Sequence, residues 1–369
     1  MLPTTVSQIP EVLDLTASSI DITREICDLE SVSGNETRLA DAIERSLAGH
    51  GHLEVIRDGD TIVARTNLGR AQRVVIAGHI DTVPLNNNLP TRFETIDGED
   101  FLWGRGTVDM KAGVAVQLKL AVELTEPIVD LTWMWYDHEE VSDSLNGLGR
   151  LARNRPDLFS GDFAILGEPS NSQVEGGCNG NLRVEIRTFG LRAHSARSWV
   201  GENAIHKVAD ILDTLTKYQP RTVEVEGLAY REGLNAVGIS GGIAGNVIPD
   251  ECMVHVNYRF APSRSVAEAV VHLEELFAGY EITVVDSASG ARPGLDAPLA
   301  QQFLAAVGAE PRPKYGWTDV ARFSALGIPA VNYGPGDPLK AHADDERVAL
   351  RQITECEDGL RAWLTASTN

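Results

Sequence analysis

Three nearly unbroken apolar segments constrain the fold of this chain more than any other feature. They are RVVIAG (73–78), LTWMWY (131–136) and FAILG (163–167), and the helical pattern KAGVAVQLKLAVELTE lies between the first two. Strands that are apolar at every position are buried on both faces, and when helices separate them they are typical of a mostly parallel sheet. We therefore predict an α/β domain of three layers, in which helices cover both faces of a mostly parallel sheet.

The pattern changes near residue 181 to alternating strands and helices. The segments NLRVEIRTFG, NAIHKVADILDTLTKY, GLNAVGISGGIAG, ECMVHVNYRF and SVAEAVVHLEELFAGY give a β-α-β-β-α-β order that favours a ferredoxin-like arrangement. After the Gly/Ser/Pro-rich SASGARPGL, helix and strand units resume in PLAQQFLAAVG and GIPAVNYGPG. We expect a first domain of residues 1–180 and 293–369 with an inserted α+β domain of residues 181–292. A length of 369 residues suits two such cores.

Charge and cysteine usage exclude several classes of protein. The formal net charge is −21 and no segment is rich in Lys or Arg, which argues against a nucleic-acid partner. The four cysteines show no CxxC spacing, so neither a disulfide framework nor a thiolate zinc site is expected. No basic residue precedes Arg24, and no apolar stretch is long enough for a signal core or a membrane span. We expect a cytoplasmic location.

Side chains that commonly bind metals follow each apolar strand, where sites form in open α/β sheets. They are His79 and Asp81, Asp137 to Glu140, Glu168, and His342 after IPAVNYGPG, with Asp109 in the turn LWGRGTVDMKAG. Each has an ordinary structural explanation by itself: a strand-end histidine is often structural, Asp109 could cap the next helix, and a Glu pair is usually solvated. Turn chemistry at four separate strand ends would, however, favour Gly, Asn and Ser. The combination therefore predicts a functional site.

Imidazole and carboxylate donors without thiolate suit zinc, with cobalt or manganese as substitutes, and one bridging carboxylate holds two ions about 3.5 to 4 Å apart. Asp109 is the expected bridge. Asp81, two residues beyond His79, is expected to fix the imidazole tautomer. Glu139 is expected to be the general base, and His138 receives no role. The expected metal ligands are His79, Asp109, Glu140, Glu168 and His342.

These motifs resemble the di-zinc metallopeptidases and deacylases, which include desuccinylases, acetylornithine deacetylases, aminoacylases and dipeptidases. The resemblance covers nearly the whole chain and is carried by GHIDTVP, WGRGTVDMKAG, the Glu139–Glu140 pair, GEPS and AHADDE. It implies the metal and base roles given above and a cis peptide bond after Asp109. One departure concerns the residue before the glutamate pair, because His138 stands where the family usually has aspartate. Glu168, where some relatives have aspartate, is associated with deacylase and desuccinylase members.

For the inserted domain, the resemblance implies a lid that forms a homodimer. In GLRAHSARSWVGENAI, His194 would reach the active site of the other protomer and stabilise an oxyanion; without the resemblance it would be read as a surface histidine. Asn246 and Arg259 would lie near the substrate. The glycines of SGGIAG could instead form only a flexible hairpin, and they do not fit a nucleotide-binding loop because they do not follow a buried strand and open a helix.

The segment KYGWTDVARFSALGIPAVNYGPGD, with GLGRL and YREGLNAV, resembles the desuccinylase members of actinobacterial type. This implies hydrolysis of N-succinyl-L,L-diaminopimelate to succinate and L,L-diaminopimelate, in lysine and peptidoglycan-precursor synthesis. A substrate with three carboxylates requires cations, although each one could instead form a surface ion pair. The candidate cations are Arg192, Arg197, Arg259, Lys314 and Arg322; Thr318, Asp319 and Arg322 would lie near one end of the substrate.

Two other functions remain open at this point. Acetylornithine deacetylase would use every metal residue named above. A non-catalytic binding protein on the same fold would be favoured by loss of Glu139 or His342, and both residues are present.

Overall fold

The computed structural model describes residues 12–366. It divides the chain into a first unit, made of the residues up to 176, 294–312 and those from 322 onward, and a second unit of 177–293 and 313–321. Part of the N-terminal segment used above, residues 1–11, lies outside the described residues. The division differs from the predicted one at 313–321, which we expected in the first domain. This segment pairs instead with the start of the second unit, since Asn179 N donates to Lys314 O at 3.3 Å.

Helices form in the segments predicted as helical, KAGVAVQLKLAVELTE, NAIHKVADILDTLTKY, SVAEAVVHLEELFAGY and PLAQQFLAAVG, and in further segments as well. The second of these segments, expected to be one helix, contains two. In the described residues the α-helices are α1 (Ser19–Asp28), α2 (Thr37–Leu47), α3 (Lys111–Glu123), α4 (Gly147–Asn154), α5 (Ala204–Lys207), α6 (Ala209–Lys217), α7 (Val266–Leu276), α8 (Pro298–Val307), α9 (Val320–Ala325) and α10 (Leu350–Leu364). Short 3₁₀ helices span Pro156–Phe159, Ser195–Val200 and Pro338–Lys340.

The strands are more numerous than the sequence patterns indicate. They are β1 (Glu54–Asp58), β2 (Thr61–Arg65), β3 (Arg73–His79), β4 (Arg92–Ile96), β5 (Glu99–Trp103), β6 (Asp130–Tyr136), β7 (Phe163–Leu166), β8 (Glu175–Gly176), β9 (Gly180–Phe189), β10 (Ala193–His194), β11 (Thr222–Val225), β12 (Leu228–Arg231), β13 (Gly233–Gly241), β14 (Val247–Ile248), β15 (Glu251–Phe260), β16 (Glu281–Ala288), β17 (Arg312–Pro313), β18 (Ala330–Asn332) and β19 (Arg347–Ala349).

The first unit is built on an eight-stranded sheet of order β1-β2-β6-β3-β7-β18-β8-β17. Its centre, β6-β3-β7-β18, is parallel, whereas β2 joins β6 and β8 joins β18 antiparallel. Every residue of β6 is buried. Because successive side chains of a strand point to opposite faces, this unbroken burial shows that both faces of the sheet are covered. The predicted α/β class is confirmed, and the sheet is mixed because β2 and β8 join the parallel centre antiparallel.

The second unit contains a four-stranded antiparallel sheet of order β13-β15-β9-β16. Alternate residues of β15 are buried, and they join residues of α5, α6 and α7 in one apolar core. The alternation follows from helices covering one face of the sheet. The chain order β9, α5–α6, β13, β15, α7, β16 confirms the predicted ferredoxin-like arrangement.

Two further findings concern membrane-spanning helices and the cysteines. In the part of the chain that the structure describes, no helix is long and apolar enough to cross a membrane. The four cysteines are buried free thiols.

Candidate metal centre

The predicted ligands leave one edge of the sheet of the first unit. Strand β3 ends at His79, which is in register with Tyr136 at the end of β6, and Ala77 is in register with Leu166 at the end of β7. Since these strands are parallel, the residues that follow them start from the same edge. Sheet register therefore places His79 beside the loops that carry the glutamate pair and Glu168.

Asp109 stands between two imidazoles. Its Oδ1 is 3.0 Å from His79 Nε2, and its Oδ2 is 3.2 Å from His342 Nε2. His342 Nε2 is also 3.0 Å from Glu140 Oε1. The peptide bond from Asp109 to Met110 is cis, as the resemblance implies, and α3 begins at the next residue. A single carboxylate thus contacts both histidines, one with each oxygen.

Three groups of donor atoms meet within 4.8 Å. The first contains His79, Asp109 and Glu168, and the second contains Asp109, Glu140 and His342. These two groups share Asp109. A third group contains Glu139 with His79 and Glu140. All five predicted metal ligands and the predicted base therefore lie in one cluster.

The carboxylates of this cluster stabilise positive charge on the two imidazoles. Burial by itself would lower the pKa of His79, but hydrogen bonds to Asp109 and Asp81 raise it well above its usual value. Hydrogen bonds to Asp109 and Glu140 raise the pKa of His342 to about 10. Burial, and then the charge of Asp109, raises the pKa of Glu140. Carboxylates crowded around two imidazoles call for a cation to balance them.

A divalent metal fits this donor set. Imidazole nitrogens and carboxylate oxygens without thiolate are the donors that zinc and neighbouring transition metals accept. Asp109 presents one oxygen toward each histidine, so both imidazoles contact the same carboxylate. The residues present thus support a metal cofactor.

Asp81 is fully buried, and its contacts differ in part from the predicted ones. The nearer acceptor for His79 Nδ1 is the main-chain oxygen of Asp81 at 3.0 Å, whereas Asp81 Oδ1 is 3.4 Å away. The carboxylate also accepts main-chain N–H groups, from Glu139 at 3.0 Å and from Glu140 at 3.1 Å. Asp81 therefore holds the glutamate pair as well as the imidazole.

Asp137 and His138 form a separate network at the start of this loop. Asp137 is buried and accepts hydrogen bonds from Arg150 at 2.7 Å and from Thr61 at 2.7 Å. His138 Nδ1 lies 2.7 Å from the other carboxylate oxygen of Asp137, and His138 has a positive φ of 60°. His138 is not in any of the three groups of donor atoms found among the described residues.

His194 and Asn246 lie side by side in the second unit. His194 of β10 is in register with Val247 of β14, and Ser195 N donates to Asn246 O at 2.9 Å. His194 and Arg197 are exposed. The roles predicted for these residues remain predictions.

The remaining predicted substrate residues have different surroundings. Arg259 is half-buried, and its guanidinium donates no hydrogen bond to other residues of 12–366. Burial, followed by the charge of Arg183, lowers its pKa. Thr318 is buried in the second unit. Arg322 belongs to the first unit, where its guanidinium pairs with the exposed Asp143.

Glu346 supports Asp109, and sequence reasoning missed it. Its Oε1 accepts the main-chain N–H groups of Val108 at 2.9 Å and Asp109 at 3.1 Å, and its Oε2 pairs with Arg105 at 2.7 Å. Glu346 is the last residue of the motif AHADDE, but nothing in the sequence links it to the turn of Asp109 far earlier in the chain. Contacts of this kind depend on the fold.

Comparisons with known proteins agree with the geometry. A model of "Peptidase family M20/M25/M40" matches residues 75–366. The chain is 46% identical to the succinyl-diaminopimelate desuccinylase of Corynebacterium glutamicum, over 97% of this chain and 99% of that protein. It is 52% identical to a Mycobacterium tuberculosis protein provisionally named as the same enzyme, over 95% of this chain and 99% of that one.

Solved structures show the same fold. A tripeptidase from Staphylococcus aureus has a TM-score of 0.77 at 20% identity, covering 94% of this chain and 96% of that one. An M20 family metallo-carboxypeptidase from Sulfolobus solfataricus has a TM-score of 0.74 at 18% identity, covering 94% and 98%. With the family match over most of its length and two full-length relatives near 50% identity, the chain belongs to peptidase family M20/M25/M40.

Proposed function

We propose that this protein is a di-zinc amide hydrolase that converts N-succinyl-L,L-diaminopimelate and water to succinate and L,L-diaminopimelate. The observation that carries the metal-dependent part is the position of Asp109, with one oxygen near each of two imidazoles. Full-length relatives that bear the desuccinylase name support the choice of substrate. This reaction belongs to lysine and peptidoglycan-precursor synthesis.

His79, Asp109 and Glu168 would hold one ion, and Asp109, Glu140 and His342 the other; cobalt or manganese could substitute for zinc. When bound, such ions supply Lewis acidity and lower the pKa of a water molecule. Glu139, in reach of His79 and Glu140, accepts the proton of the attacking water and later delivers it to the leaving amine. His194, supplied by the partner protomer, donates a hydrogen bond to the oxyanion of the tetrahedral intermediate.

Recognition of the substrate carboxylates is assigned to a few cations in an otherwise acidic protein. Arg259 is suited to this role because it is half-buried and its guanidinium donates no hydrogen bond to other residues of 12–366. A half-buried guanidinium without an acceptor is strongly stabilised when a carboxylate accepts two hydrogen bonds from it. The proposed substrate-binding residues are Asn246, Arg259, Arg197, Thr318 and Arg322. Arg322 would have to leave Asp143, which is exposed and therefore a weak competitor.

A homodimer through the second unit is supported by the edge of its sheet. Strand β13 is at the edge of the four-stranded sheet, and Val237 and Ile239 on it are 64% and 53% exposed. Ile205 of α5 and Leu212 of α6 add further exposed apolar surface. An exposed apolar edge strand is a template for pairing with another strand, so a second copy of the chain is the proposed partner.

Metal reconstitution tests the proposal. Protein stripped with a chelator should release no succinate from N-succinyl-L,L-diaminopimelate, and activity should rise with added zinc until about two ions are bound per chain. Stoichiometry is measured by elemental analysis after desalting. Full activity in the metal-free protein, or saturation at one ion per chain, would contradict the di-zinc assignment.

A further inference from the structure

Three consecutive main-chain N–H groups after β6 donate to buried carboxylates. His138 N donates to Glu36 Oε1 at 3.2 Å, and the N–H groups of Glu139 and Glu140 donate to the two oxygens of Asp81 at 3.0 and 3.1 Å. Glu36 is 1% exposed and Asp81 is 0% exposed. Two acids from distant parts of the chain thus hold the backbone that carries the proposed base.

Glu36 belongs to the segment S-V-S-G-N-E (31–36), which lies against the end of β3. Ser33 N donates to Thr82 O at 3.0 Å, and Thr82 N donates to Ser31 O at 3.0 Å. Ser33 Oγ donates to Asp81 Oδ2 at 2.6 Å. The segment therefore contacts both carboxylates of the support, one through Ser33 and the other through its own Glu36.

Helix capping does not explain the burial of Glu36. It precedes α2, but its side chain makes no capping hydrogen bond. Its second oxygen accepts Gly34 N at 2.8 Å, within its own segment. One carboxylate oxygen is therefore used to shape the segment, and the other is directed at the loop after β6.

We propose that Glu36 is a positioning residue for Glu139, fixing the loop of residues 138–140 through the N–H of His138. This inference rests on the proposed function, in which Glu139 is the general base. His138 has a positive φ of 60°, a conformation that non-glycine residues seldom adopt, at the residue just before Glu139. A small displacement of a general base costs much of its rate, about 100-fold for 1 Å.

Both oxygens of Glu36 accept hydrogen bonds, so a carboxylate is required there. In Glu36→Gln, one oxygen is replaced by an NH₂ group that would face an N–H donor. Either the N–H of His138 or that of Gly34 then loses its acceptor. Glu30 provides a matched control: it lies beside the same segment, accepts Val32 N at 2.9 Å, and also bonds Asn35. Its contacts stay within that segment.

The experiment compares zinc-loaded Glu36→Gln and Glu30→Gln by hydrogen exchange and steady-state kinetics. For Glu36→Gln we expect the amides of 138–140 to exchange about 10-fold faster, read by mass spectrometry of a peptide spanning them. The kcat should fall about 10- to 100-fold, with KM within about 2-fold and the metal content of the wild type. Glu30→Gln should match the wild type in kcat and in exchange of these amides.

Several results would overturn the inference. The first is amide exchange of 138–140, or a kcat, that is the same in Glu36→Gln as in the wild type. The second is a fall in kcat that accompanies loss of bound metal. The third is a change in Glu30→Gln as large as that in Glu36→Gln. If Glu36→Gln does not fold, Glu36→Asp replaces it, because the shorter side chain draws the carboxylate back from His138 N. Glu36→Asp should show the same faster exchange and lower kcat. Wild-type exchange and kcat in Glu36→Asp would overturn the inference. A wild type that hydrolyses no succinyl-diaminopimelate would refute the proposed function instead, and the exchange comparison would still report whether Glu36 holds the loop.

Discussion

At the scale of single residues, the types of the ligands could be predicted but their contacts could not. His79, Glu140, Glu168 and His342 were expected because each follows a strand that reads as buried, and the structure brings them together around Asp109. The contacts of Glu36 and Glu346 were not expected. Their partners lie far away in sequence, and a buried glutamate has no local pattern that distinguishes it from a solvated one.

Replacing the proposed base separates chemistry from metal binding. Glu139→Gln should keep the shape of the side chain while removing its ability to accept a proton. We expect kcat for succinyl-diaminopimelate to fall by about 100- to 10,000-fold with metal content unchanged. Elemental analysis and initial-rate kinetics check this, with the exposed Glu54→Gln as control. Turnover within a few-fold of wild type would remove Glu139 as the base.

Glu232 supplies a pH-dependent contribution to stability in the second unit. Burial alone would raise its pKa, but hydrogen bonds from Arg221 and from Ala261 N, together with nearby positive charge, lower it below 4.5. A group whose pKa is lowered on folding stabilises the protein above its unfolded pKa, and this contribution is lost as the pH falls through the folded pKa. Glu232→Gln should therefore lower the free energy of unfolding by about 1 to 3 kcal/mol at pH 7.

The difference between Glu232→Gln and wild type should shrink as the pH falls below 4.5, the usual glutamate value. Urea unfolding at a series of pH values measures it, with the exposed Glu224→Gln as control. A deficit that does not change with pH would show that packing, and not the charge of Glu232, is responsible.

At the scale of elements, long periodic segments were predictable and short pairings were not. The apolar segments became β3, β6 and β7, and the alternating segments became the ferredoxin-like sheet. The two-residue strands β8 and β17, at one edge of the large sheet, were not expected. Such strands are set by their neighbours in space and are too short to show a period of their own.

Gly113 allows α3 to approach the end of β7. A Cβ at this position would lie 2.2 Å from the main-chain oxygen of Gly167. Because backbone must shift to relieve this contact, Gly113→Ala should lower the free energy of unfolding by about 1 to 3 kcal/mol. Gly51→Ala is the control, since a Cβ there meets no atom within 4 Å. Equal unfolding midpoints for the two variants would show that α3 and β7 adjust freely.

At the scale of the whole molecule, two compact units could be predicted, but not every segment of each. Residues 313–321 rejoin the second unit although the chain has already returned to the first. The composition of residues 313–321 does not indicate that they belong to the second unit. Asn179 N donates to Lys314 O and Trp317 Nε1 donates to Ser289 O, and pairings so distant in sequence leave no local pattern.

The proposed sharing of His194 between protomers can be tested by mixing two inactive variants. His194→Ala and Glu139→Gln should each be nearly inactive alone, because each removes one part of every site. After exchange of subunits in an equal mixture, the mixed dimers hold one complete site, which should restore about a quarter of wild-type activity. Rates measured on the mixture test this. Activity no higher than the sum of the two separate variants would contradict a shared site.

The most direct measurement of the central claim is kcat/KM of the zinc-loaded protein for N-succinyl-L,L-diaminopimelate and for N²-acetyl-L-ornithine. A site that recognises the substrate carboxylates through buried polar groups discriminates strongly against an acyl group that lacks one. We expect a preference of at least about 100-fold for the succinyl substrate. An equal or higher kcat/KM for acetylornithine would contradict the account, as would the absence of hydrolysis of either compound.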